Sequence, residues 1–227
     1  MPQPTLLYVT QVAPYLDGPA GVHGVLDQSA TALAELAETR GMDFERTGDV
    51  RTLDPALLER ARVLALFTIG ETPWSESQQR SIVDAVRSGR TSVLAIHSAT
   101  DSCHGWDEYG QLVGARFEGH PWTQSVNVEV LQPEHPAVAH FPEVFAWHDE
   151  IYTFRGLRPD AEVLLRANPD DLDAEVSPPS GEYPLSWCFT EGSGRAFSTS
   201  LGHFPLAWET PDYLRHLDGG LGWVLAN

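Results

Sequence analysis

The stretch Ser92-Val93-Leu94-Ala95-Ile96-His97-Ser98-Ala99-Thr100-Asp101 decides the fold of this chain of 227 residues. Its first half is typical of a buried strand, and an imidazole and a carboxylate follow directly. A buried imidazole needs specific polar partners, because an unpaired polar group costs free energy in an apolar interior. Asp101 either orients His97 or begins the next helix as a capping residue. The stretch therefore predicts a central strand that leads into a polar site.

Short apolar runs on the amino-terminal side of this strand alternate with helical patterns. Such alternation is typical of a parallel α/β sheet. We therefore predict an α/β fold of three layers, with helices on both faces of a mostly parallel central sheet. The strands are expected at residues 6–9, near Phe44 and at 63–67, and the helices at 28–38, after Asp54 and at 75–87.

The carboxyl-terminal half has a different pattern. Residues 168–183, rich in Asp, Pro, Ser and Gly, predict an exposed loop. No internal repeat or linker separates the two halves, so residues 1–227 are expected to form a single domain. Further strands are expected at 126–130, where valines alternate with polar residues, and at 163–165, 185–189 and 195–201, with a closing helix at 211–225.

The composition excludes several kinds of chemistry and partner. All 14 basic residues are arginines, so no lysine is present for a Schiff base or for a P-loop. The formal net charge of −18 disfavours nucleic acid and anionic membranes, because phosphate-binding surfaces need clustered Lys and Arg. Cys103 and Cys188 have no CxxC spacing, and the amino terminus lacks the features of a signal peptide. We expect a cytoplasmic protein with no nucleic-acid or membrane partner.

Four candidate site residues follow the ends of predicted strands. Loops at the carboxyl ends of neighbouring parallel strands meet at one edge of a sheet. His23 follows the first strand, and His97 and Asp101 follow the strand at 92–96. His203 follows the strand at 195–201. We expect these side chains to lie close together despite their separation in sequence.

A second group of candidates lies between these strands. His120 is held between a glycine and a proline, and the adjacent carboxylates Asp149 and Glu150 precede Tyr152. Neighbouring side chains of a strand point to opposite faces. Only one of the two carboxylates is therefore expected to face a pocket if this segment is extended.

Several motifs of the second half occur in an order that points to one family. They are His97-Ser98-Ala99-Thr100-Asp101, Trp106 with Tyr109, residues 112–117 (LVGARF) with Gly119-His120-Pro121, Asp149-Glu150-Ile151-Tyr152, residues 184–187 (PLSW), residues 192–197 (GSGRAF), Leu201-Gly202-His203 and residues 220–223 (GLGW). This set resembles the ThuA-like family, named for trehalose utilisation. The resemblance covers about residues 90–225. The amino-terminal third matches the family only in its alternation of strands and helices and in His23.

The resemblance implies a fold similar to class I glutamine amidotransferases, a flavodoxin-like sandwich in which a sharp elbow follows the central strand. The elbow residue of those enzymes is a nucleophilic cysteine, whereas His97 stands at the matching position here, which argues against amidotransfer. The family is linked to bacterial disaccharide catabolism, alongside an oxidoreductase that makes 3-keto sugars. The pair Trp147-His148 and the acidic insert at 168–181 depart from the family pattern and leave room for a substrate other than trehalose.

We expect a protein that acts on a small carbohydrate such as an oxidised disaccharide, although the sequence leaves open whether it is an enzyme. His97 or His120 would be the general base or acid, with Asp101 or Glu150 fixing its tautomer. A divalent metal, zinc or manganese, held by His97, His120 and His203 is a variant of this hypothesis. The expected catalytic residues are His97, Asp101, His120, Glu150 and His203, and the expected substrate-binding residues are His23, Trp106, Trp122, Asp149 and Tyr152.

Two alternatives stay open at this point. The chain could be a non-catalytic sugar- or protein-binding module that kept the fold. Amidotransferase or peptidase chemistry through Cys103 would require a depressed thiol pKa. Trp106 and Trp122 either stack on a sugar ring or pack in the core. The sequence does not fix the oligomeric state, and a homo-oligomer is one option.

Overall fold

A single large sheet forms the centre of the molecule. A computed structural model of the chain describes residues 3–13, 16, 24–177 and 181–226. The strands in these residues are β1 (Thr5–Val9), β2 (Asp43–Thr47), β3 (Ala61–Leu66), β4 (Ser92–Ile96), β5 (Arg116–Val130), β6 (Val144–Arg155), β7 (Glu162–Ala167), β8 (Pro184–Glu191) and β9 (Gly194–Thr199). They lie side by side in the order β2-β1-β3-β4-β9-β8-β7-β5-β6.

Helices cover both faces of this sheet. Leu33 and Leu217 pack in the core on one face, and Ile82 and Leu112 pack in the core on the other. Two apolar layers are needed because the side chains of a buried strand point alternately to opposite faces. The helices are α1 (Leu26–Thr39), α2 (Pro55–Arg60), α3 (Glu76–Arg87), α4 (Asp107–Val113), α5 (Pro205–Glu209) and α6 (Pro211–Leu225).

Helix starts in the amino-terminal half follow from local capping residues. The Asp54 carboxylate accepts a hydrogen bond from the Ala56 backbone at 2.9 Å, and Pro55 occupies the first position of α2. Ser75 and Gln78 form a reciprocal capping box at the start of α3. The strands and helices expected in this half of the sequence are all present.

The sheet as a whole is mixed, which corrects the expectation that it is mostly parallel. Among the described strands, β1, β2, β3, β4 and β9 are joined by parallel pairings, whereas β5 to β9 are joined by antiparallel ones. The turn between β8 and β9 is too short to allow any other direction, because parallel neighbours need a long crossover connection. The parallel expectation therefore holds for β1 to β4 and for the pairing of β4 with β9.

The position of the candidate site follows from this topology. β4 and β9 are parallel neighbours, with Ile96 beside Thr199 in the register, so the segments that follow them leave the sheet side by side. The long antiparallel ribbon of β5 and β6 reaches the same place, because β5 contacts the short helical turn His97–Asp101. No helix among the described residues is long and apolar enough to cross a membrane.

Candidate functional site

His97 occupies a sharp elbow directly after β4. Its backbone has a φ of 49°, a left-handed conformation that costs free energy in a residue other than glycine. The ring is buried, and its Nδ1 lies 2.7 Å from the carbonyl oxygen of Ser200, just after β9. A carbonyl can only accept a hydrogen bond, so Nδ1 carries a proton and donates it. In the neutral ring, Nε2 is then the nitrogen that carries a lone pair and accepts hydrogen bonds.

Three polar atoms surround Nε2 of His97. The Tyr152 hydroxyl lies 2.9 Å away and donates to it when the ring is neutral. Nδ1 of His203 lies at 3.2 Å and Oε2 of Glu150 at 3.5 Å. Residues from β6 and from the segment after β9 thus converge on one nitrogen atom of the residue that follows β4.

Glu150 is the carboxylate that joins the imidazoles. Its Oε2 lies 3.4 Å from Nδ1 of His203, and its Oε1 lies 3.7 Å from Nδ1 of His120. Burial by itself raises the pKa of Glu150, but the hydrogen bond and positive charge of His97, with the charges of His203 and His120, outweigh burial and lower the pKa to about 2. Glu150 is therefore an anion at any working pH.

Asp149 points to the other side of β6 and fixes the backbone around the site. Its carboxylate is fully buried and accepts hydrogen bonds from the backbone amides of Gly202 at 2.8 Å and His203 at 3.3 Å. It also accepts from the amide of Glu150 and from the indole nitrogen of Trp147. Asp149 thus positions His203, whereas Glu150 contacts its ring.

His203 lies between the polar cluster and an apolar recess. About a quarter of its side chain is exposed, and burial lowers its pKa, with the nearby Glu150 opposing this shift. Its ring contacts Phe204 at a centroid distance of 4.7 Å, and Phe204 in turn contacts His148 at 5.3 Å. Beyond Phe204 a recess of about 500 Å³ opens, lined by residues 146–148, residues 204–207 and Thr210.

Tyr152 belongs to the cluster through its hydroxyl and to an aromatic wall through its ring. Burial, together with the negative charges of Glu150, Asp149 and Asp101, raises its pKa well above the ordinary value, so the hydroxyl keeps its proton. The ring packs edge-on against Phe117 at a centroid distance of 4.6 Å. On the far side of His97, Phe67 contacts the imidazole edge-on.

Three of the expected residues lie away from the cluster or its contacts. Trp106 packs with Tyr109 in the core beneath α3 and α4. Trp122 is buried against Tyr183 in the core of the opposite face. Asp101 pairs with the exposed ring of His104 at 2.9 Å and acts on Tyr152 only through its charge. Each has a local partner that explains its position without a ligand.

Two further expectations concern residues 23 and 103. His23 lies outside the described residues. Cys103 is buried, its sulfur lies 2.7 Å from the Thr72 hydroxyl, and burial raises its pKa to about 11. A reactive thiol needs a depressed pKa, so the surroundings of Cys103 are those of a structural residue.

Some members of the site carry no signal in the sequence. The Ser200 carbonyl is a backbone atom, and Ser200 lies inside the strand predicted at 195–201. Phe117 stands out only as part of the motif at 112–117, and Phe204 has no predicted role, because an aromatic side chain has the same pattern in a core and beside a ligand. Trp147 and His148 stood out as departures from the family pattern, and both line the recess beside Phe204.

Comparisons with solved structures place this geometry in a known fold. A ThuA-like protein from Bacteroides uniformis is 20% identical, with a TM-score of 0.77, over 98% of this chain and 91% of that chain. A ThuA-like protein from Parabacteroides merdae is 20% identical, with a TM-score of 0.76, over 100% of this chain and 91% of that chain. A glutamine amidotransferase from Thermotoga maritima is 9% identical, with a TM-score of 0.56, over the full length of both chains. These identities establish the fold alone.

Sequence comparison adds the family. None of the curated proteins compared matches the chain. Residues 16–224 match the family described as ThuA, trehalose utilisation, a span that includes the elbow, the ribbon of β5 and β6 and the segment after β9. The fold resembles those of ThuA-like proteins and of a glutamine amidotransferase, and the family match covers nearly the whole chain. The protein therefore belongs to the ThuA family.

Proposed function

We propose that this ThuA protein enolises a small keto sugar at the cluster formed by His97, Glu150 and His203, with His120 as the general base. The observation that carries the proposal is the convergence of three imidazoles on one carboxylate beside the carboxyl ends of β4 and β9. Ligands of α/β folds bind at such ends. The family description, trehalose utilisation, supports a carbohydrate as the substrate class.

His120 is better suited than His97 to exchange a proton with a ligand. The His97 side chain has no exposed surface and is fixed by Ser200 and Tyr152, whereas the His120 side chain is 44% exposed. Glu150 lies 3.7 Å from Nδ1 of His120 and would stabilise the imidazolium that forms when the ring accepts a proton. We therefore assign the role of general base to His120 rather than to His97.

The reaction step is a proton abstraction next to a carbonyl group. His120 takes the proton, the electron pair of the broken C–H bond forms the C=C bond of an enolate, and the carbonyl electron pair moves to oxygen. His203 and the protonated hydroxyl of Tyr152 are the groups beside Glu150 that would stabilise this oxygen. Return of a proton to the same carbon completes the exchange. The abstraction itself is the first step that isomerisation, epimerisation and elimination share.

The apolar recess beside His203 supplies the binding surface in this proposal. Phe204, Trp147 and Leu206 line it, and the Leu206 side chain is largely exposed. Aromatic and aliphatic faces suit the apolar face of a sugar ring, while nearby polar groups set its orientation. Phe204 and Trp147 thus take the role that the sequence had offered to Trp106 and Trp122.

The test follows the loss of carbon-bound hydrogen in heavy water. The purified protein is incubated in D₂O with 3-keto disaccharides, and proton NMR records exchange at the carbon next to the carbonyl. We expect His120→Gln to slow this exchange by at least about 100-fold, the usual minimum contribution of a general base, and His104→Gln to leave it unchanged. Binding without exchange would favour the non-catalytic module, and neither binding nor exchange would overturn a role in handling these sugars.

A further inference from the structure

We propose that Nε2 of His97, Nδ1 of His203 and a carboxylate oxygen of Glu150 bind one divalent metal ion, and that the ion is zinc. The inference deepens the proposed function and rests on the same cluster, since the ion would take over the stabilisation of the enolate oxygen. It differs from the ligand set expected from sequence, because Glu150 replaces His120 as the third ligand. Among the described residues, these three offer ligand atoms that all lie within 4.8 Å of one another.

The spacing of the three atoms matches one face of a zinc coordination tetrahedron. Their separations are 3.2 Å between the two histidine nitrogens, 3.4 Å from His203 to Glu150 and 3.5 Å from His97 to Glu150. Metal–ligand bonds of about 2.1 Å at tetrahedral angles put ligand atoms about 3.4 Å apart. An ion at that bond length would lie about 0.8 Å outside the plane of these three atoms, close to the value for a regular tetrahedron.

The two distances to Glu150 are long for strong, charge-assisted hydrogen bonds. Bonds between a protonated imidazole and a carboxylate usually measure about 2.7–2.9 Å. Both separations to Glu150 exceed this range by half an ångström or more. Atoms at this spacing suit a shared ion better than a strong direct ion pair.

The surroundings prepare His97 to act as a ligand. A histidine ligand usually donates its other ring proton to a carbonyl or carboxylate, which fixes the tautomer. Nδ1 of His97 makes this bond to the Ser200 carbonyl at 2.7 Å, so Nε2 presents its lone pair to the cluster. Asp149 accepts a hydrogen bond from the backbone amide of His203 and so fixes the position from which its ring extends.

Tyr152 competes with the ion for this lone pair. Its hydroxyl donates to Nε2 of His97 at 2.9 Å, and that bond must break when a metal binds. The freed hydroxyl could then donate to an oxygen of the substrate. Three protein ligands leave a further position of zinc for that oxygen or for water, which is the arrangement of catalytic rather than structural zinc.

The experiment measures metal content without any sugar. The tag-free protein is stripped with a chelator and dialysed against micromolar zinc chloride or, separately, manganese chloride, and elemental mass spectrometry gives the ions per chain. We expect one zinc per chain in the wild-type protein, and a loss of affinity beyond about 100-fold in Glu150→Gln and His203→Gln, because even the outer partners of ligands contribute about 10- to 100-fold. Circular dichroism verifies that each variant is folded.

Two further variants act as controls on the ligand set. His104→Gln removes an exposed histidine that pairs with a carboxylate, and it should leave zinc binding unchanged. Tyr152→Phe removes the competing hydroxyl and should retain or tighten binding. No bound zinc in the wild-type protein, or zinc retained by folded Glu150→Gln, would overturn the proposal, as would loss of zinc in Tyr152→Phe. If the protein binds zinc but does not exchange the carbon-bound hydrogen of a keto sugar, the proposed reaction is wrong and the metal site stands. If it catalyses that exchange without bound metal, the metal site is wrong and the reaction stands.

Discussion

The buried carboxylate of Asp149 offers the sharpest test of how the site is built. In Asp149→Asn one carboxylate oxygen becomes an amide nitrogen, which cannot accept a hydrogen bond. Oδ2 accepts from the Gly202 amide and from the Trp147 indole, and Oδ1 accepts from the amides of Glu150 and His203. Whichever oxygen is replaced, two donors in buried or partly buried bonds lose their acceptor and face another donor.

The cost can be worked from these bonds. A buried donor left unpaired costs about 1–3 kcal/mol, and two donors toward the lower end of that range destabilise the folded state by about 3 kcal/mol. For a chain of this size that corresponds to a fall in Tm of about 6–12 °C. The same change removes the acceptor that holds the backbone of His203. We therefore expect slower exchange of the carbon-bound hydrogen of a keto sugar and weaker zinc binding, together with the lower stability.

Urea unfolding followed by circular dichroism measures this cost. Asp101→Asn is the matched control, because its carboxylate makes a partly exposed pair with His104 that is worth about 0–1 kcal/mol. We expect the free energy of unfolding to fall by about 3 kcal/mol in Asp149→Asn and by less than about 1 kcal/mol in Asp101→Asn. Equal effects of the two substitutions would refute the role assigned to Asp149.

Three further predictions concern the frame around the site. Gly202→Ala should destabilise the protein by more than about 2 kcal/mol in urea unfolding, because residue 202 has a φ of 113° and an added Cβ would overlap the Tyr213 hydroxyl; an unfolding curve like that of the wild type would contradict this. Cys103 should react with a thiol reagent at pH 7.5 only as fast as the protein unfolds, since the thiol is buried with a pKa of about 11; rapid labelling of the folded protein would revive thiol chemistry. Burial lowers the pKa of His216 to about 4, so the unfolded chain binds more protons than the folded chain below pH 6.5, and stability should fall by about 3 kcal/mol between pH 6.5 and pH 4. The difference between wild-type and His216→Gln unfolding across this range isolates that contribution, and a constant difference would show that His216 does not titrate there.

Much of the fold was predictable because local patterns determine local structure. The apolar run of β4, the capping residue Asp54, the helical pattern at 75–87 and the alternating valines of β5 each marked an element correctly. Strand direction in the second half was not predictable, because alternation shows which face of a strand is buried and not which way its neighbour runs. The sheet was therefore expected to be more parallel than it is.

Part of the candidate site was predictable for a different reason. His97 and His203 come together because the carboxyl ends of parallel neighbours lie at one edge, a rule that needs only the order of elements. The division of labour between Asp149 and Glu150 follows from their adjacent positions on one strand. The burial of Trp122 and the contact of His120 with Glu150 depend on the register shifts between β5 and β6 from Phe117 to Trp122, which no local pattern specifies.

The central claim is that His97, Glu150 and His203 form one chemical centre. Anomalous diffraction from crystals of the protein soaked in zinc chloride tests it most directly, because the signal locates the ion without any assumption about the substrate. The account predicts a single strong peak about 2.0–2.2 Å from Nε2 of His97, Nδ1 of His203 and an oxygen of Glu150. A map with no peak there, or with zinc only at exposed pairs such as that of His104 and Asp101, would contradict it.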